Sequence, residues 1–172
     1  MDYFELWNEP SPVYATHDHW VKWGKLIRVW LGDNTPLNVT VCGDFPRGLK
    51  KYDDLEIELR LLFYEGDFYK DEDEYYAEEG HTMASESIIP CGTFSPTQDP
   101  NFKQTPTVLL RGKVLSVEEF EEYGDRMFKI ELKMWDYVFR VIAIDGFGEL
   151  GVHPGNILSG FFFVDGKVNR RG

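Results

Sequence analysis

Apolar and polar residues alternate along "LEIELRLLF", Leu55 to Phe63. Leu55, Ile57, Leu59, Leu61 and Phe63 share one face, and Glu56, Glu58 and Arg60 share the other. A period of two predicts a half-buried strand. "FKIELKMW" repeats it with Phe128, Ile130, Leu132 and Met134 against Lys129, Glu131 and Lys133, and "LNVTV" does so on a smaller scale. The denser apolar runs "KLIRVWL" and "YVFRVIAI" predict more fully buried strands.

Turn residues punctuate these runs. "GDNTP" follows Leu31, "GDFPRG" follows Val41, and "YGD" and "WD" bracket the strand at 126–134. Gly and Asp tolerate the backbone angles of tight turns. The best helical candidate is the acidic segment "YKDEDEYYAEEG", with Gly80 as its cap. No internal repeat of fixed period stands out. The pattern therefore predicts an all-β chain.

The stretch "IIPCGTFSPTQDPNFKQTP" is rich in Pro, Gly, Ser, Thr and Gln, and marks a candidate boundary. It predicts an acidic β-rich unit at 1–104 and a second unit at 105–172. The alternative is one compact domain in which the stretch is a long ordered loop. In the second unit the predicted strands are 108–118, 126–134, 137–144, 157–164 and 166–169. Carried by "LLRGKVLSVE", "FKIELKMWDYVFRVIAI" and "HPGNILSGFFFVDGKV", this unit resembles the OB-fold, a small five-stranded Greek-key barrel. The resemblance implies that Gly112 and Gly160 let their strands bend and that Asp165-Gly166 closes a final hairpin. It implies a fold and not a function.

Composition narrows the class. Apolar content of 42% and aromatic content of 16% mark a globular chain. "MDYFELWNEP" lacks the basic-then-apolar order of a signal peptide, and no apolar run is long enough to span a bilayer. Cys42 and Cys91 are too few for a disulfide framework. These features predict a soluble cytoplasmic protein.

Charge is unevenly spread. Residues 1–104 hold 9 Lys/Arg against 20 Asp/Glu, and residues 105–172 hold 9 against 10. Phosphate-backbone ligands gain affinity by displacing counterions with Lys and Arg, so nucleic acid is a disfavoured ligand. An acidic surface complements and steers a basic protein partner.

Several motifs hint at chemistry. His17 and His19 of "ATHDHW" share a face if extended, and imidazoles so spaced can share a metal. No further Cys or His completes the set nearby, so the plainer reading is surface or turn residues. The carboxylates of "GDFYKDEDEYYAEEGH" suggest Ca²⁺, but an EF-hand loop counted from Asp71 puts Tyr76 and Thr82 where Gly and Glu are needed. They read as a solvated acidic face. Cys91 has no spacing that pairs it with His81, the nearest histidine, and reads as a buried or inert thiol. Nucleophile elbows and phosphate-binding glycine loops are not found. The sequon at Asn38 matters only in a secreted protein.

No catalytic residue, metal or cofactor is therefore expected. Aromatic residues anchor interfaces, which singles out Phe68, Tyr69, Tyr75 and Tyr76 within the acidic run. Trp135 and Arg140 of "KMWDYVFR" join them, since exposed aromatics and cations on an OB barrel also bind bases and phosphates. The expected function is a non-catalytic interaction or accessory protein, of inhibitor or immunity type, that binds a basic partner. The alternative is a single-stranded nucleic-acid binder. A small hydrolase ranks third, because abundant carboxylates alone do not locate an acid–base pair.

Overall fold

The computed structural model describes residues 12–20, 26–32, 34–41, 47, 48, 50, 54–78, 80, 83–93, 97–122, 124–144 and 151–170. Among them are nine strands and one short helix. The order is β1 (Pro12–Trp20), β2 (Leu26–Leu31), β3 (Thr35–Val41), β4 (Asp54–Tyr69), α1 (Glu72–Ala77), β5 (Ser87–Ile89), β6 (Thr107–Glu122), β7 (Asp125–Met134), β8 (Tyr137–Ile144) and β9 (Ile157–Arg170). The chain is all-β, as the period of two predicts. Among the described residues no helix is long and apolar enough to cross a membrane.

All nine strands join one sheet, in the order β1-β2-β3-β9-β4-β8-β7-β6-β5, with β6 also bonded to β9 and β1 to β4. The β9–β6 pairing closes a ring of five strands, β6-β7-β8-β4-β9. Closure is partial, since β4 and β8 meet in parallel only over Arg60–Leu62. The β1–β4 pairing closes a second circuit, β1-β2-β3-β9-β4. Both circuits contain the antiparallel β4–β9 pair, which runs from Leu55↔Arg170 to Tyr69↔Ile157. On its other edge β4 bonds β1 at 54–58 and β8 at 60–62, so the circuits follow one another along the shared pair.

Alternation puts the core on one face of that pair. Leu55, Ile57, Leu59 and Leu61 of β4 and Leu158, Phe162, Val164 and Val168 of β9 are buried together with residues of β2, β3, β6, β7 and β8. A register shift between Phe63 and Glu65 then exchanges the faces of β4. Beyond it, Gly66 lies opposite Gly160, and the Phe63 side chain reaches both.

Three sequence expectations change. The predicted strands 157–164 and 166–169 are the single strand β9, and Asp165-Gly166 is no turn. Asp165 is bonded to Arg60, Nε to Oδ1 at 2.9 Å and Nη2 to Oδ2 at 2.5 Å. Gly166 lies where a Cβ would come 2.8 Å from the Glu58 carbonyl oxygen, so close approach explains the glycine. The fifth member of the ring is accordingly β4, from the first part of the chain. Finally, α1 ends at Ala77 with Glu78 as its C-cap, not at Gly80. Its start is the better-defined end, because the Asp71 carboxylate accepts from the Glu74 amide at 2.8 Å.

The stretch after β5 is tied to the β2–β3 hairpin. Buried Asn38 donates to the carbonyls of Gly92 at 3.0 Å and Thr105 at 3.2 Å. Arg28 donates to the Thr93 carbonyl at 2.7 Å.

The glycine pair gives a sharp prediction. A Cβ on Gly66 would lie 2.2 Å from the Ser159 carbonyl oxygen and 2.6 Å from the Gly160 Cα, both backbone atoms of the paired strand. Overpacking typically costs 1–3 kcal/mol and more where nothing can yield, so Gly66→Ala is expected to lose at least about 3 kcal/mol. Gly124→Ala meets open space at φ +80 and is expected to lose about 1–2 kcal/mol. Urea melts of both variants check the ranking; equal losses would contradict it.

Candidate protein-binding surface

The surface starts at the tightest turn of the sheet. β7 ends at Met134 and β8 begins at Tyr137, leaving Trp135 and Asp136 as the turn. Two-residue hairpin turns favour a positive φ at their first position, usually taken by Gly. Trp135 adopts φ 55 there. A bulky residue in this conformation costs about 1–2 kcal/mol.

Glu86 offsets the cost. Its carboxylate accepts from the Trp135 amide at 3.0 Å and from Lys133 Nζ at 2.7 Å. Its carbonyl accepts from the indole Nε1 at 3.1 Å. Both the backbone and the ring of Trp135 are thereby fixed, yet the residue stays 50% exposed.

The preceding residue fixes a second aromatic. The Ser85 amide donates to the Tyr76 hydroxyl at 3.0 Å, and Ser85 Oγ donates to Glu72 at 2.8 Å. Tyr76 is 56% exposed. Ser85 and Glu86 lead into β5, the last strand of the sheet order, so both aromatics are anchored at that edge. Exposed carboxylates lie close to them along the chain, Glu72, Asp73 and Glu74 on α1 with Tyr76, and Asp136 next to Trp135. Lys133 is held by Glu86, and exposed Lys113 lies across from it on β6.

Behind this edge, Tyr75 is buried and its hydroxyl donates to the Met83 carbonyl at 2.9 Å. Its ring meets Tyr69 edge-on at 5.1 Å and Tyr76 at 5.0 Å. Burial, and then the hydrogen bond from its hydroxyl to Glu78, push the Tyr69 phenol well above its ordinary range. Burial likewise raises Tyr75.

The residues singled out from the sequence therefore divide. Tyr76 and Trp135 are both bonded to the segment that leads into β5, with Tyr75 packed against Tyr76 and Tyr69 against Tyr75. Phe68 is half-buried against the core, 6.3 Å from the Phe63 ring. Arg140 is buried in mid-sheet, opposite Arg60. Cys91 is exposed rather than buried. The side chains of His17 and His19 lie outside the described residues, as does His81. The backbone of β1 shifts register between the two histidines. Among the described residues no three His, Cys, Asp or Glu side chains gather where they could hold a metal ion.

Sequence reasoning missed Ser85 and Glu86. It also missed a second aromatic patch, where Tyr64 lies 4.8 Å from Phe163 and 6.0 Å from Phe161. The signal for that patch is present: in "GFFFV" alternation sends Phe162 inward and its two neighbours outward. A groove of about 310 Å³ is lined by Phe128, Val152 and His153 together with the Arg126–Glu119 ion pair. Hydrogen bonding from Arg126 lowers the Glu119 pKa.

The chain matches no known protein family, no curated protein and no solved structure.

Two outcomes follow from this geometry. Glu86→Ala removes a charged acceptor from a strained turn and is expected to cost about 1.5–3 kcal/mol in urea melts, with Trp135 fluorescence shifting as the ring is released. An unchanged melt and spectrum would contradict the clamp. The second outcome concerns alkali. A phenol whose folded pKa is raised contributes no pH dependence below its unfolded value near 10, and stability falls as pH rises beyond it. Melts between pH 9 and 11 (chosen assay conditions spanning that value) are expected to show this fall, with a smaller slope in Tyr69→Phe.

Proposed function

We propose that the protein is a non-catalytic accessory protein that binds a basic protein partner through Tyr76 and Trp135, in the manner of an inhibitor or immunity protein. The observation that carries this reading is the Glu86 clamp, which holds a half-exposed tryptophan in a strained turn next to Asp136. Strained residues persist where the surroundings over-determine them, and they cluster at ligand clamps. Trp and Tyr are the side chains most often found as interface hot spots. Fixing them before binding reduces the entropy lost on association. The neighbouring carboxylates favour and steer a basic partner.

A second reading, a single-stranded nucleic-acid binder on an OB-like ring, has the exposed Trp135 in its favour. Charge counts against it. Lys129 pairs with Glu118, Lys133 pairs with Glu86, and Arg140 is buried. Stacking on one ring contributes about 1–3 kcal/mol per base and must overcome repulsion from the acidic chain.

Affinity capture from extracts of the native host separates the two. The expected result is a basic protein retained at low salt, weakened as salt rises, and bound at least about 30-fold less tightly by Trp135→Ala. Tyr76→Ala is expected to act in the same direction. Undiminished capture by both variants, or capture of nucleic acid in place of a protein, would overturn the proposal.

A further inference from the structure

The face of the sheet opposite the core carries a row of charged residues across four strands. Register places Asp165 of β9 beside Arg60 of β4, Arg60 beside Arg140 of β8, and Arg140 beside Glu131 of β7. Asp165 and Arg60 form a two-pronged pair through Nε and Nη2, with Arg60 only 1% exposed. Arg140 has no such pair. It is 4% exposed, and its enclosed Nε and Nη1 atoms have no hydrogen-bond partner.

None of the neighbouring carboxylates bonds Arg140 Nε or Nη1. Both Asp165 oxygens face Arg60. Glu131 lies across the β7–β8 ladder, and no ion pair joins it to Arg140. Glu58, two residues along β4 on the same face, lies across from Lys167. Along β8 and β4 the neighbours are Ile142 and Leu62, which pack in a small apolar cluster. Lys129 of β7, opposite Ile142, pairs with Glu118.

An enclosed guanidinium without a partner is a costly arrangement, because the charge has lost its water without gaining an ion. The same group is a preformed receptor: planar, permanently charged, and shaped to bind carboxylate or phosphate oxygens. Low-dielectric surroundings strengthen that attraction. We propose that Arg140, beside the Arg60–Asp165 pair, holds a small oxyanion, the carboxylate or phosphate group of a ligand. The site is separate from the Tyr76–Trp135 edge and does not depend on the function proposed for it.

Thermal melts with inorganic phosphate, acetate or chloride at constant ionic strength test the site. Phosphate or acetate is expected to raise the melting temperature of the full chain along a saturation curve, on the order of 5–10 °C at a hundredfold excess over Kd. Chloride is expected to have no saturable effect, and the anion that saturates first identifies the ligand class. Arg140→Met is expected to abolish the curve, and Arg126→Met, at the exposed pair with Glu119, to keep it. In the unaltered protein the Arg140 Nε–H resonance is expected to move along the same curve, a readout that requires no variant. The proposal is overturned if neither anion gives saturable stabilisation, as with a site filled by water. A curve that survives Arg140→Met, or an Nε–H resonance that stays still, overturns it equally.

Discussion

The structure depends on one ladder, the antiparallel pairing of β4 with β9. Each strand presents one edge to the other and divides its second edge between two sets of neighbours. Both circuits of strands are built on this pair, and one cluster of buried residues draws on both, with Met127 and Ile142 forming a smaller second one. Its register is strongly fixed, because a slip of one residue would turn the core face outward. The bulge at Phe63/Glu65, the close Gly66–Gly160 pair and the Arg60–Asp165 pair each hold that register by a different means. The first adjusts the pleat, the second admits close backbone approach, and the third joins the two strands through paired charges.

From the ladder, order passes outward to the surface. β9 bonds β6, β6 bonds β7 and β5, and the β7–β8 turn meets the residues leading into β5. Glu86 therefore reaches Trp135 because the sheet brings together two segments 49 residues apart in sequence. Strain at Trp135 and the hydrogen bonds that offset it are of similar size, so the net effect on stability is small. The ordering of the aromatic ring is large by comparison, and it is ordering that a binding surface needs. Arg140 shows the complementary case, a buried group whose needs the fold leaves unmet.

Much of the sheet was legible in the sequence. The period-two runs at Leu55–Phe63 and Phe128–Met134 became β4 and β7, because burial of one face demands that alternation. β5 escaped, since three residues carry too little pattern. The Asp165-Gly166 pair misled, because local turn chemistry cannot reveal that Asp165 is bonded to an arginine 105 positions earlier in the chain. The fifth strand of the ring was assigned to the wrong part of the chain for the same reason: long-range pairing leaves little local trace. Of the site, Tyr76 and Trp135 were found by residue type. Glu86 was not, although a tryptophan opening a two-residue turn needs an acceptor for its amide. Arg140 is a candidate contact by residue type alone, and its burial is not legible because a dense apolar run does not say which face of its strand is covered.

Photo-crosslinking in cells of the native host, with a photoreactive residue in place of Tyr76, Trp135 or Phe163 in turn, tests whether the clamped edge is where a partner binds. Positions 76 and 135 are expected to capture the same basic protein, and position 163, on the other exposed aromatic patch, is expected not to. Capture from position 163 alone, or different partners from 76 and 135, would contradict it.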